Sequence, residues 1–226
     1  MLKYLFIFSI FSIVGWIIEF AFRSINNKKI VNPGFMSGCV VPIYGFGALA
    51  LNIMGNFFDK IECTNKIIII FFISVFVLSL LELFSGVMAQ KLFRIKLWDY
   101  SNNKFNYKGL ICVKFSLLWG LFSLLFYYFV NPWLNEFIAS IITNPIAIFF
   151  LGFYFGIFLI DLCLSINLLS RLNKYAKDLS KIINFEKLKS DILGRVTKNK
   201  VLNLAYPYFS TYKFLKDKTK NWKGKK

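Results

Sequence analysis

Histidine is absent from all 226 residues. The chain therefore has no imidazole base, no His ligand for a metal and no Ser-His-Asp triad. Cysteine is scarce: Cys39, Cys63, Cys112 and Cys163 are the only four. None lies within a few residues of another, which excludes a CxxC redox pair and a zinc knuckle. They read as small packing residues. No GxxxxGK[ST] sequence occurs, so the chain carries no P-loop, and an ATP-driven role needs a separate ATPase subunit. HExxH, GxSxG and Asp-rich metal motifs are missing too. No catalytic residue, metal or cofactor is assigned from the sequence. Charge is low overall, at 17% of residues, against about a quarter in soluble domains. Acidic residues are fewest, 11 against 28 Lys and Arg, for a net charge of +17.

Apolar residues fill the gap. They make up 57% of the chain, aromatics 19%, and Phe alone contributes 28 residues. A disordered chain needs low hydrophobicity, and one small soluble core could not hide so much apolar surface. The composition points to an all-α integral membrane protein.

Five apolar runs approach the ~20 residues needed to cross a bilayer. They cover residues 4–22, 38–58, 67–87, 110–130 and 146–169. Without water in the lipid, backbone amides must pair within each run, so the runs are expected to be helices. Asn131-Pro132 is expected to close the fourth, with a loop over 131–145. Pro42 is expected to open a kink early in the second. The first run follows Lys3 as a secretory signal would, but it is long, ends with Glu19 and Arg23, and has no clear cleavage site. It is read as an uncleaved helix. The expected organisation is a transmembrane domain over 1–170 and a basic amphipathic helical tail over 171–226.

Loop charge sets the expected orientation. The first and third loops are basic, the fourth has no Lys or Arg, and the tail holds 16 of the 28 basic residues. Basic loops stay in the cytosol. This puts the N-terminus outside and the C-terminus inside the cell membrane. Apolar residues recur at near-helical spacing over 168–193, and an aromatic patch follows at 205–212. The tail reads as a surface helix on anionic lipid headgroups, or as a docking arm for a partner. Its charge is ascribed to cytosolic retention, not to nucleic acid.

Charges within the runs need a reason, since each costs about 2.5–3.5 kcal/mol at mid-bilayer even on the lenient scale. They are Glu19, Arg23, Glu82, Lys114 and Asp161, and all fall in the expected cytoplasmic half. Glu19 and Arg23 are four residues apart and share a helix face. Glu82 and Asp161 would need partners across helices, such as Arg23 or Lys114. One reading has these charges in structural ion pairs or reaching the headgroups; the other makes them a polar pocket open to the cytosol. Gly45 with Gly47, and Gly152 with Gly156, are expected to let helices approach closely.

An ordered set of motifs runs along the chain. It comprises Gly15-Trp16-Ile17-Ile18-Glu19 with Arg23, Asn32-Pro33-Gly34-Phe35, Pro42-Ile43-Tyr44-Gly45-Phe46-Gly47 and Glu82 with Gly86. Trp98-Asp99-Tyr100-Ser101, Phe105-Asn106, Gly109 and Trp119-Gly120 complete it. Over residues 5–130 this order resembles the bacterial membrane protein family called ABC-transporter type IV, or CmpB-like. The resemblance implies a permease-type subunit working with an ATPase, and five spans per chain imply two copies or a second permease chain. Asn32 and Tyr44 would then join the polar pocket. Trp98, Asp99, Tyr100, Asn106 and Gly109 would form a cytosolic interface loop. Asp99 would cap a short helix or meet an Arg, and Asn106 would cap the fourth helix. A membrane enzyme acting on a lipid-linked substrate through Glu19, Glu82 or Asp99, and a non-catalytic membrane partner, stand beside the transporter reading. Membrane-impermeant lysine labelling of intact cells is expected to spare the C-terminal tail; labelling of the tail from outside would overturn the orientation.

Overall fold

A computed structural model of the protein describes residues 1–28, 32–62, 64–178 and 183–184. It is mostly helical: α1 (Leu2–Asn27), α2 (Pro42–Phe58), α3 (Lys66–Phe93), α4 (Val113–Leu125), α5 (Asn131–Ile141) and α6 (Pro145–Asp178). A π-helical segment, Phe126–Val130, joins α4 to α5, so these three form one helix, Val113–Ile141. Four helices are long and apolar enough to cross a membrane: Leu2–Asn26, Lys66–Phe93, Val113–Ile141 and Pro145–Asn167. Large apolar side chains such as Phe72, Phe76, Phe84, Phe129, Phe149 and Ile160 are exposed on them, as lipid contact requires and water does not favour. The protein is a multi-pass membrane protein.

Three expectations change. The second run is helical only from Pro42 to Phe58, 17 residues or about 25 Å of rise. Residues 38–41 are held in a loop instead. Pro42 produces no kink, because it is the first helical residue, where its missing N–H is not needed. Asn131-Pro132 does not end the fourth run. Pro132 falls in the first turn of α5, and the wider i→i+5 bonding of the π segment just before it absorbs the irregularity. The expected loop over 131–145 is thereby reduced to residues 142–144. The tail expected over 171–226 is helical to Asp178; the aromatic patch and most of the basic residues lie outside the described residues.

The chain divides into two compact units. The first comprises Met1–Gly15, Pro42–Val87 and Trp98–Gly156. Its core gathers Phe6, Ile7, Ala48, Phe126, Leu134, Ile138 and Leu151. On α2 the buried face is Gly45, Ala48, Asn52 and Gly55, a spacing of three and four that makes one helical stripe. A Cβ on Gly45 would run into Ser12 and the Phe8 backbone of α1. Gly47 has only an ordinary contact with Leu78 at 3.7 Å. Gly152 and Gly156 do not pack as expected: a Cβ at either meets nothing within 4 Å among the described residues. They sit in the most weakly covered span, of which 6% is buried.

Lower on α2 three asparagines, Asn52, Asn56 and Asn135, close a ring, and Asn131 joins it through Asn52. Asn52 Nδ2 donates to Asn131 Oδ1 at 2.7 Å and to Asn135 Oδ1 at 3.0 Å. Asn135 Nδ2 donates to Asn56 Oδ1 at 2.9 Å, and Asn56 Nδ2 to Asn52 Oδ1 at 3.0 Å. Every amide oxygen is used. Gly55 makes room, since a Cβ there would press on Asn131 at 2.7 Å. Apolar contact cannot hold helices together against lipid tails that are equally apolar, so these bonds serve as the glue.

The second unit comprises Trp16–Val41, Met88–Leu97 and Ile157–Lys226. Met36 and Ile95 are fully enclosed in it. A two-residue strand β1 (Ile95–Lys96) pairs in parallel with β4 (Ile183–Asn184). In the first unit β2 (Asn106–Tyr107) pairs antiparallel with β3 (Ile111–Cys112).

Replacing Asn52 by Leu removes three hydrogen bonds at about 0.6 kcal/mol each. A loss of about 2 kcal/mol in unfolding from mixed micelles is expected, with Asn56→Leu costing less; an unchanged Asn52→Leu protein would show the ring to be dispensable.

Candidate functional site

The expected site residues separate by unit. Tyr44, Glu82 and Lys114 belong to the first; Glu19, Arg23, Asn32 and Asp161 belong to the second.

In the first unit the centre is Glu82 on α3, 6% exposed. Its Oε1 accepts the Tyr100 hydroxyl at 2.9 Å. Its Oε2 is buried with no hydrogen-bond partner, although the Trp119 indole of α4 interacts with the carboxylate. Trp119 meets Tyr44 of α2 edge to face, with centroids 6.3 Å apart, and Tyr44 in turn feels Tyr100 electrostatically. Glu82, Tyr100, Tyr44 and Trp119 are thus a closed set of neighbours. Small residues make this possible. A Cβ on Gly15 would occupy the space of the Tyr44 ring, and one on Gly120 that of Phe71 and Val75. Ser79 and Ser116, each one turn before the site on its helix, bond at 2.8 Å and hold α3 to α4. The cross-helix cation expected for Glu82 is not there: among the described residues no Lys or Arg pairs with it. Lys114 is exposed and lies over the Phe115 ring at 5.8 Å, where its ammonium keeps its solvation.

Tyr100 reaches Glu82 from the loop 98–112, which is tied by its own bonds. The Trp98 indole donates to Leu110 O at 2.8 Å, and Tyr100 N–H to Gly109 O at 2.8 Å. Asp99 Oδ1 accepts the Ser101 N–H at 3.0 Å, an Asx turn. Asn106 donates to Asn103 O at 2.7 Å and accepts the Gly109 N–H at 3.1 Å. It does not cap α4, whose N-cap is Cys112 without a side-chain bond; its own strand pairing turns the Asn106 amide back into the loop. Gly109 has φ +70, and a Cβ there would meet Asp99 at 2.6 Å, so this turn requires glycine. Burial, and after it the Glu82 carboxylate, pushes the Tyr100 phenol far above its ordinary range. It stays a donor at any physiological pH.

In the second unit the Arg23 guanidinium pairs with Glu19 one turn earlier, its Nε at 2.8 Å from Oε1. Asn32 Oδ1 accepts the Trp16 indole N–H at 2.6 Å, and Asn32 Nδ2 donates to Ser37 O at 3.0 Å. Among the described residues Asp161 of α6 pairs with no cation either. Its carboxylate accepts the backbone N–H groups of Ser37 at 3.1 Å and Gly38 at 2.8 Å, and the Ser165 hydroxyl at 3.3 Å. Gly38 suits this close approach, since a Cβ would stand 3.0 Å from Asp161 Oδ2. Two amide donors satisfy an anion as a cation would, and they pin the loop 32–41 to α6. That is why α2 begins no earlier than Pro42.

The asparagine ring and the place of Trp119 beside Glu82 are absent from the sequence reading. A signal for the ring exists: Asn52/Asn56 and Asn131/Asn135 are both four-residue pairs of amides in apolar surroundings. Neutral amides are simply less conspicuous there than charges.

A family model described as "Putative ABC-transporter type IV" matches residues 6–166, well over half of the chain. The chain belongs to that family. The match extends past the motif-bearing segment 5–130 and takes in α6 as far as residue 166, with Asp161. The family and the four apolar helices together fit a transport-related membrane protein. No curated protein and no solved structure matches the chain.

Replacing Asp161 by Ala leaves the Ser37 and Gly38 amides without their acceptor. Hydrogen bonds to charged groups contribute about 1.5–3 kcal/mol, so exchange of these two amides is expected to quicken by at least about tenfold. Equal protection in the variant would show that something else holds the loop.

Proposed function

We propose that the chain is a permease-type membrane subunit of an ABC transporter and works with a separate ATPase subunit. The observation that carries this is the Tyr100–Glu82 hydrogen bond. It links a loop stiffened by its own bonds to a buried acid among aromatic rings. A force applied to the loop by an ATPase would reach that acid through one phenol. Family membership and the missing P-loop support the same division of labour.

On this reading α2 is the second of five spans, the N-terminus is outside, and the loop 98–112 and the basic tail face the cytosol. The tail rests on anionic headgroups. Two copies of the chain, or one copy with a second permease chain, make up the permease. The solute site is Glu82 with Tyr44, Tyr100 and Trp119. The Glu19–Arg23 pair is structural.

Purification of the intact protein from its native membrane in mild detergent should recover an ATPase. Asn106→Ala, which loosens the loop, should reduce that recovery several-fold with the chain still inserted. Recovery of the folded chain without any ATPase would sink the proposal.

A further inference from the structure

We infer that the Glu82 site takes an organic cation, a group of the alkylated ammonium class. This rests on the reading of Glu82 as the solute site. The carboxylate is buried, one of its oxygens is taken by Tyr100, and the other has only the Trp119 indole beside it, short of a well-formed hydrogen bond. No Lys or Arg among the described residues neutralises it. Once ionised, a group so placed repels anions and favours a positive ligand, and a cation beside it is what would keep it ionised. Its surroundings decide which kind. A metal ion needs several oxygen ligands, and no group of three acidic or Cys side chains exists among the described residues. Aromatic rings are there instead. Tyr44 and Trp119 stand at 79° to each other and form the two walls of a corner. Tyr100, backed by Phe115 stacked at 4.7 Å, stands beside them. Tyr44, Tyr100 and Trp119 are each half-buried while Glu82 is buried, so the rings are the part of the set a ligand meets first. Rings of this kind attract a soft, weakly hydrated cation through their faces, most strongly Trp.

The test is equilibrium binding of labelled choline to the purified full-length chain in nanodiscs, beside its uncharged isostere 3,3-dimethylbutan-1-ol. Choline should bind saturably and the isostere should not. Glu82→Gln should weaken choline at least about tenfold, and Trp119→Leu about 2- to 30-fold. Trp133→Leu, at an exposed ring stacked on Phe137 away from the site, should leave binding unchanged. If Glu82→Gln does not fold, Tyr44→Leu carries the same expectation as Trp119→Leu. Absence of saturable choline binding, equal binding of the isostere, or binding indifferent to these site variants would overturn the inference. The measurement needs no ATPase. Choline binding by a chain that recovers none would uphold the site and count against the transporter reading alone; recovery of an ATPase without choline binding would do the reverse.

Discussion

Inside hydrocarbon no water is at hand for a polar group, so each one must find its partner in the chain. That constraint organises this molecule. The amides of Asn52, Asn56, Asn131 and Asn135 satisfy one another. Asp161 takes two backbone N–H groups, and Asn32 takes an indole on one side and gives to a carbonyl on the other. The bonds of Asn52 to Asn131 and Asn135, of Asn135 to Asn56, and of Asp161 to Ser37 and Gly38 join parts of the chain far apart in sequence. Apolar contacts fill the space between helices, but lipid would fill it nearly as well. The polar pairs are what make one arrangement preferable to another.

Glu82 is where the rule is met only in part. Tyr100 satisfies one oxygen and the other is left to the aromatic surroundings. A half-satisfied buried acid is costly, and the chain arranges a good deal of structure around it. Gly15 clears space for Tyr44 and Gly120 for Phe71 and Val75, Ser79 and Ser116 join the flanking helices, and the loop 98–112 is braced so that Tyr100 arrives in position. Costs of this kind are retained where a site needs an unneutralised charge. The same phenol ties the acid to the loop.

Much of this was readable in advance, and the failures have physical causes. Long apolar runs appear as long helices because the bilayer leaves the backbone no alternative. The fourth helix runs on past Asn131-Pro132, since proline is tolerated in a first helical turn and a π segment can precede it. The second was read too long, because Gly38 bonds to Asp161 more than 120 residues away. Charges were easy to find in the sequence, yet their partners were not. Cations were expected opposite Glu82 and Asp161; a phenol and two backbone amides stand there instead. Local sequence shows that a charge needs company without showing which distant group supplies it.

Composition and run length alone determined that the chain is helical and crosses a membrane, because transfer of apolar surface out of water depends on amount, not on arrangement. The i,i+4 pairing of Glu19 with Arg23 was equally determined, since helix geometry places them together whatever else happens. Only the tertiary structure decided that α2 starts at Pro42, that four asparagines meet, and that Glu82 lies among Tyr44, Tyr100 and Trp119. Those outcomes depend on hydrogen bonds of short range and strict direction between residues remote in the chain. Such bonds exist only once the helices have packed.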